Sequence, residues 1–333
     1  MAEGKDDLVW LGFDLGGTKM QATLLDRKFQ PIGAKRKKTR GHDGAESGVE
    51  RMTGIVDKLL EEHQIRPDQL QGIGVGCPGP LDLDAGVILE APNLGWKNVR
   101  LKEELEKRYG CPTEILNDVD AGVYGEYRFG AAVEARCVLG VFPGTGIGGG
   151  LIYEGQIFRG KKSSCLEIGH MVVAPDGLPC GCGRRGCLET VASRLAISAE
   201  IAKAAYRGQA PQIMRIAGTD LANLRSGAIA EVIATGEQSV EQIVRLGARL
   251  LGRVIAGVVN LLTPDIIVLG GGLVEALPKL YQGEVESMLD QHVMPSYAKT
   301  YTVRVAKLGD QAGVMGAAAW VRQLHQKPLV AAE

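Results

Sequence analysis

Net charge is nearly absent from this sequence: 38 lysines and arginines stand against 39 aspartates and glutamates, for a formal balance of -1. With no global field to draw the chain to nucleic acid or to an anionic membrane, small molecules are the expected partners. A secretory leader is also missing. The opening "MAEGKDDLVW" is polar and acidic where a leader needs basic residues and then an apolar core, so a cytoplasmic location is expected. Long uncharged apolar runs are missing as well. The most apolar helical stretch, Gln242 to Pro264, carries Arg245, Arg249 and Arg253 down one face, and its uncharged remainder is too short to span a bilayer. Seven cysteines, an odd number without an export signal, argue against a full disulfide framework and leave reduced thiols as the default.

What is present is glycine, 46 residues of it, clustered beside apolar runs as tight turns and ligand-facing backbone require. In 333 residues there is room for two domains, each with a substantial core. Leu8 to Phe13, the turn "DLGGTK" (14–19) and "MQATLLD" read as strand, glycine turn and strand; Val138 to Phe142, "PGTGIGGG" (143–150) and "LIYEG" repeat the pattern, as an internal duplication would. Between them the pattern predicts helices at Val49 to His63 and Leu101 to Tyr109 and strands at 72–79 and Thr113 to Leu116. The second half reads as more helical, with Val191 to Arg207, Leu221 to Thr235 and the arginine-striped run. The strand and glycine turn "DIIVLGGGL" (265–273), the strand "TVRVAKLG" (302–309) and a closing helix from Ala312 to Leu324 follow. The basic run "KRKKTR" (35–40) lacks interleaved aromatics and reads as solvated surface on an edge strand or loop.

A glycine turn between strands can offer several backbone N–H groups to one anion, because no side chain blocks the approach. Neither hairpin turn matches the Walker sequence or the dinucleotide pattern GxGxxG between strand and helix. The motifs "DLGGTK" (14–19), "NDVDA" (117–121), "GTGIGGG" (144–150), "EIGH" (167–170), "CGCGRRGCLE" (180–189) and "LGGG" (269–272) follow the order seen in the ROK family of repressors, open reading frames and kinases. The resemblance spans about Leu8 to Leu324. It implies the actin-like fold of sugar kinases, Hsp70 and actin, with two α/β domains and a cleft between them. The expected division is a smaller domain over 1–120, joined by the C-terminal helix 312–333, and a larger one over 121–311 with a metal-binding loop. The resemblance further implies that Gly16, Gly17, Thr18 and Lys19, with Gly144, Thr145 and Gly146, face the phosphates of ATP. Gly271 and Gly272 would then meet the adenosine, and Asp14 would orient water on Mg²⁺.

Phosphoryl transfer asks for positioning, charge neutralisation and a carboxylate to take the hydroxyl proton. "NDVDA" supplies one: the resemblance makes Asp118 the base and Asn117 a sugar contact. From the residues alone, Asp120 is an alternative carboxylate on the same face if the strand continues, and "ND" after a strand is also an ordinary turn or helix cap. Glu167 and His170 reach sugar hydroxyls in this family, Asn93 and Glu189 complete the expected shell, and "CPGP" (77–80) shapes the wall beside it. Cys180, Cys182 and Cys187, at spacings of two and five, curl around a metal more easily than they form a disulfide, and they lack C-x-x-C redox spacing. With His170 they make a Cys₃His set for structural Zn²⁺. The clip is expected to pin the sugar pocket through His170 and Glu189 without touching the ATP side. Cys77, Cys111, Cys137 and Cys165 read as plain buried thiols.

The expected activity is ATP-dependent phosphorylation of a hexose, most like a glucokinase acting on the 6-hydroxyl, because "ETVASRLAI" (189–197) resembles the glucokinases more than the fructokinases. N-acetylglucosamine, N-acetylmannosamine, mannose and fructose remain alternatives. A homodimer is implied by the family alone. Two rival readings stand beside the enzyme. One is a sugar-responsive transcription regulator, disfavoured because a helix-turn-helix domain would precede the first phosphate motif and Asp14 comes almost at the start. The other is a catalytically dead sugar-binding protein, which the intact phosphate turns and Asp118 argue against.

Overall fold

The structure is a computed structural model that describes residues 8–161 and 165–325. Most of the opening segment read above as leaderless, and the end of the expected helix 312–333, lie outside the described residues. The first hairpin forms as the sequence pattern predicts: β1 (Val9–Leu15) pairs antiparallel with β2 (Lys19–Leu25), from Trp10 opposite Leu25 to Leu15 opposite Met20. Next to β2 lies β3 (Pro31–Lys38), whose basic residues are largely exposed on the edge of the sheet, where charge discourages further strand pairing. α1 (Ala45–Glu62) buries Val49, Met52, Ile55, Val56 and Leu59 at helical spacing. β4 (Leu70–Cys77) runs parallel to β1. β5 (Leu81–Asp82), β6 (Val87–Ala91) and β7 (Trp96–Val99) form a small antiparallel sheet that the sequence pattern does not announce. α2 (Leu101–Tyr109) has Glu103 and Glu104 in its first turn, Lys107 and Arg108 in its last and a left-handed Gly110 beyond, all in accord with the helix dipole and its C-cap. β8 (Thr113–Asn117) adds parallel to β4 and leads directly into α3 (Asp118–Phe129).

The second hairpin joins β9 (Cys137–Pro143) to β10 (Ile147–Tyr153). Its turn is only Gly144 to Gly146: Gly148, Gly149 and Gly150 pair with Phe142, Val141 and Gly140 and belong to the strand, because cross-strand hydrogen bonding overrides the poor strand propensity of glycine. β11 (Gln156–Ile157) follows. The helix expected at Val191 to Arg207 is two, α4 (Glu189–Ala192) and α5 (Arg194–Tyr206), separated by Ser193, whose hydroxyl caps α5 by accepting from the Ala196 N–H at 3.2 Å. Then come α6 (Pro211–Ile216), α7 (Ser226–Ala234) and the arginine-striped α8 (Gln238–Leu262). β12 (Ile266–Leu269), α9 (Gly272–Ala276), α10 (Pro278–His292), β13 (Thr302–Val305) and α11 (Ala312–His325) complete the chain. The stripe on α8 has a partner: Arg245 and Arg249 both pair with Glu284 of α10. Among the described residues no helix is long and apolar enough to cross a membrane.

The chain divides into two compact units. Of the described residues, one holds 8–134, 156–161, Cys165 and 310–325; the other holds Ala135 to Gly155 and Leu166 to Gly309. The boundary expected at residue 120 falls in the first turn of α3, and α3 packs on α11, which carries it into the first unit. Within that unit the strand order is β3-β2-β1-β4-β8, and Leu11, Phe13, Met52, Ile55, Ile73 and Trp96 lie in its core. α11 also lies on β1 and β4, with its backbone against theirs. A Cβ on Gly12 would stand 1.8 Å from the Val314 carbonyl oxygen, and one on Gly316 1.8 Å from that of Ala121, so only glycine permits this approach. In the second unit β10, β9, β12 and β13 repeat the pairing of β2, β1, β4 and β8: antiparallel, parallel, parallel. Leu139, Val141, Val244, Leu251, Ile255 and Ile267 are fully buried in its core.

Candidate active site

In the first unit β1, β4 and β8 run parallel, so their C-terminal ends bring Asp14, Cys77 and Asn117 to one edge of the sheet, where ligands of open α/β sheets bind. Burial pushes the Asp14 carboxyl up to about 6, partly offset by the Lys19 ammonium. The Cys77 thiol, fully buried, is pushed up by that burial and then by the charges of Asp118 and Asp14, so the two carboxylates both act on one small side chain. Beside Asp14 the glycine turn is closed by the Gly16 N–H on the Lys19 carbonyl at 3.0 Å, and Thr39 ties it down through its hydroxyl to the Gly16 carbonyl at 2.6 Å and its N–H to that of Thr18 at 3.0 Å. Lys19 Nζ and an Arg36 guanidinium nitrogen each lie 2.8 Å from a carboxylate oxygen of Asp310. Asn93 stands over the turn: a Cβ on Gly17 would be 3.4 Å from its own.

Both open readings of "ND" meet at the start of α3. Asn117 is the N-cap, its Oδ1 accepting from the N–H groups of Val119 at 2.9 Å and Asp120 at 3.3 Å, which leaves its NH₂ group as a donor for a ligand. Asp118 occupies the first helical position, with Oδ1 accepting from the Val119 N–H at 3.0 Å. Because the chain has turned helical by then, Asp120 does not share its face as a continued strand would require; it is 1% exposed and points into the unit.

In the second unit the Gly144 N–H closes the turn on the Gly146 carbonyl at 2.8 Å. Glu189 Oε2 accepts from the Ile147 N–H at 3.1 Å and would clash at 2.2 Å with any Cβ on Gly146. Arg194 donates its N–H to the Gly144 carbonyl at 2.9 Å and its side chain to Thr145 Oγ1 at 3.1 Å. The third turn lies against the second: Gly271 has a left-handed φ of 89°, and a Cβ there would sit 2.7 Å from the Pro143 carbonyl oxygen. Gly272 opens α9.

His170, Cys180, Cys182 and Cys187 come together as the spacing predicts. Tetrahedral zinc with Zn–S near 2.3 Å and Zn–N near 2.0–2.1 Å puts donor atoms about 3.5–3.8 Å apart. His170 Nδ1 is 3.5 Å from Cys180 Sγ, Cys182 Sγ is 3.8 Å from Cys187 Sγ, and all four donor atoms lie within 4.8 Å of one another. The donor set therefore fits zinc. The Arg184 backbone N–H lowers the Cys182 thiol toward the thiolate that a metal needs. His170 Nε2 faces Glu167 at 3.9 Å, and the other oxygen of Glu189 lies 3.7 Å from Cys180 Sγ. Glu189 thus touches both the cysteine cluster and the second glycine turn, which does not match the expectation that the clip stands apart from the ATP side. Cys77, Cys111 and Cys137 are buried as expected, whereas Cys165 is half-buried with its thiol on the Phe158 carbonyl.

Within the first unit, then, stand Asp14, Gly16 to Lys19, Asn93, Asn117 and Asp118; within the second stand Gly144 to Gly146, Glu167, His170, the three cysteines, Glu189, Gly271 and Gly272. Sequence reasoning missed Arg36, Arg194 and Asp310, whose partners lie far away along the chain.

A mixed α/β chain with two like-paired sheets, each opened by a glycine hairpin, defines the class of actin-like ATPases. The chain matches the ROK family model over residues 10–324 and belongs to the ROK family. It is 31% identical to a glucokinase of Thermotoga maritima over 94% of this chain and 97% of that protein. It is 32% identical to a glucokinase of Halalkalibacterium halodurans over 95% of this chain and 96% of the other. The crystal structure of a ROK family glucokinase from Streptomyces griseus in complex with glucose and AMPPNP matches with a TM-score of 0.81 at 31% identity, covering 95% of this chain and 99% of that one.

Proposed function

We propose that the protein is an ATP-dependent hexose kinase, a glucokinase that transfers the γ-phosphoryl group of ATP to the 6-hydroxyl of glucose. The observation that carries this reading is the pair Asp14 and Asp118, held beside Cys77 at the edge of a parallel sheet and next to a glycine turn closed by its own backbone. Asp118 accepts the proton as the sugar oxygen bonds to phosphorus and ADP departs. Asn93, the Asn117 NH₂ group, Glu167, His170 Nε2 and Glu189 hold the sugar hydroxyls. The turns Gly16 to Lys19 and Gly144 to Gly146 cradle the phosphates through amides other than those of Gly16 and Gly144, which close the turns, and Gly271 and Gly272 leave space for the adenosine. Mg²⁺, held through water by Asp14, would supply charge neutralisation on the phosphates. Zn²⁺ on His170, Cys180, Cys182 and Cys187 would be structural, fixing the imidazole so that its second nitrogen faces the sugar. A cytoplasmic homodimer belongs to the same reading, by likeness to ROK-type kinases.

A coupled assay of ADP release across glucose, mannose, fructose, N-acetylglucosamine and N-acetylmannosamine tests it. Glucose is expected to give the highest kcat/KM, with N-acetyl groups rejected near the sugar 2-position, where Glu189 and His170 are the neighbours. A higher kcat/KM for N-acetylglucosamine would replace glucokinase by an amino-sugar kinase, and no turnover with any hexose would overturn the kinase reading itself.

A further inference from the structure

We infer that Arg194 is a nucleotide-phosphate contact, gripping a phosphoryl oxygen together with the backbone amides of the second glycine turn. The identity of that anion rests on the kinase reading above. Of the N–H groups around the turn, that of Gly144 is spent on the Gly146 carbonyl and that of Ile147 on Glu189, while those of Thr145 and Gly146 have no protein acceptor among the described residues. Two unsatisfied amides in a row are an anion nest. The turn contains no cation of its own, and the Glu189 carboxylate stands directly behind it, where its charge works against an incoming phosphate.

Arg194 supplies what is missing. Its own N–H on the Gly144 carbonyl and its guanidinium on Thr145 Oγ1 fix the side chain at the turn, and among the described residues no carboxylate pairs with it. One of five N–H donors is used on Thr145, which leaves the rest of a planar, permanently charged fork for a phosphate. The first turn differs, because it runs directly into Lys19, whose ammonium is paired with Asp310.

The test is calorimetric titration of Mg²⁺-ATP and, separately, of adenosine into the wild type, Arg194→Met and Arg194→Lys, with KM for glucose measured alongside. Arg194→Met is expected to weaken ATP binding by roughly 10- to 100-fold, the scale of a lost charge-assisted hydrogen bond, while leaving adenosine affinity and the glucose KM within about twofold. Arg194→Lys is expected to recover part of the loss, because it keeps the charge without the fork. Unchanged ATP affinity in Arg194→Met, or equal losses for ATP and adenosine, would overturn the inference and leave Arg194 as a brace for the turn. A wild type that binds no ATP would overturn it too. If ATP affinity falls as expected but the wild type phosphorylates no hexose, the phosphate contact stands and the kinase reading falls.

Discussion

At the first hairpin β1 ends on Asp14 and Leu15, with Leu15 opposite Met20; at the second, β9 ends on Phe142 and Pro143, with Pro143 opposite Ile147 across a turn one residue shorter. Where the first places a carboxylate, the second places an aromatic ring that packs beneath Gly270. The first turn carries its own lysine, steadied by Asp310, which also holds Arg36. The second is uncharged and takes both its anion and its cation from the following helices, as Glu189 and Arg194. The like strand pairing therefore brings a glycine turn to each sheet, while the charges at the two turns come from different places: partly from the turn's own lysine in the first, and from the following helices in the second. In the first unit Asp14 lies at the end of β1 and Asp118 opens the helix that follows β8, so that end of the sheet carries two carboxylates.

The strongest test of this division is Asp118→Asn. The amide preserves shape but cannot take the proton, so kcat is expected to fall roughly 10²-fold or more with sugar binding largely kept. Asp120→Asn, in the interior, is expected to act mainly on stability. Near-normal kcat in the first variant with loss in the second would move the base to Asp120.

A second test reaches across the second unit. Zinc analysis of the purified protein should find about one ion per chain. Cys182→Ser or metal removal is expected to weaken sugar use by roughly 10- to 100-fold. Because Glu189 joins the cluster to the second turn, the KM for ATP should rise as well. Absence of zinc, or a Cys182→Ser protein with unchanged KM values and stability, would remove the role assigned to the cluster.

Asp14 offers a smaller, pH-dependent contrast with Phe142. Its folded pKa is raised to about 6 from 3.8, so the folded state holds the proton more tightly than the unfolded one, and stability falls as pH rises through that window. Asp14→Asn avoids the penalty. Urea titration is expected to find the variant more stable by up to about 3 kcal/mol above pH 6, an advantage gone below about pH 4. Equal stability at all pH values would mean that the carboxylate is not desolvated. The smallest effect belongs to Asp310→Asn. Its ion pairs are about half exposed, so the expected stability change is within about 1 kcal/mol and shrinks with salt. Its charge also raises the Asp14 pKa, so the variant should titrate Asp14 lower, as NMR of the carboxyl carbon would detect.

The sequence by itself determined what depends on near neighbours: the two hairpins, the bounds of α2, and the cysteine spacing that closes on one point. In each, the interacting groups belong to one continuous stretch of chain, so propensity and spacing carry the information. Only the tertiary structure decided the rest. Lys19 meets Asp310 across 291 positions, Glu189 meets Ile147 across 42 and Arg194 meets Thr145 across 49, and no local pattern marks such pairs. It also turned Asp120 inward by starting a helix at Asp118, broke one expected helix at Ser193, and drew Gly148 to Gly150 into a strand. The role of a carboxylate depends on how deeply it is buried and on which charges face it, and both are set by segments that meet only when the chain folds.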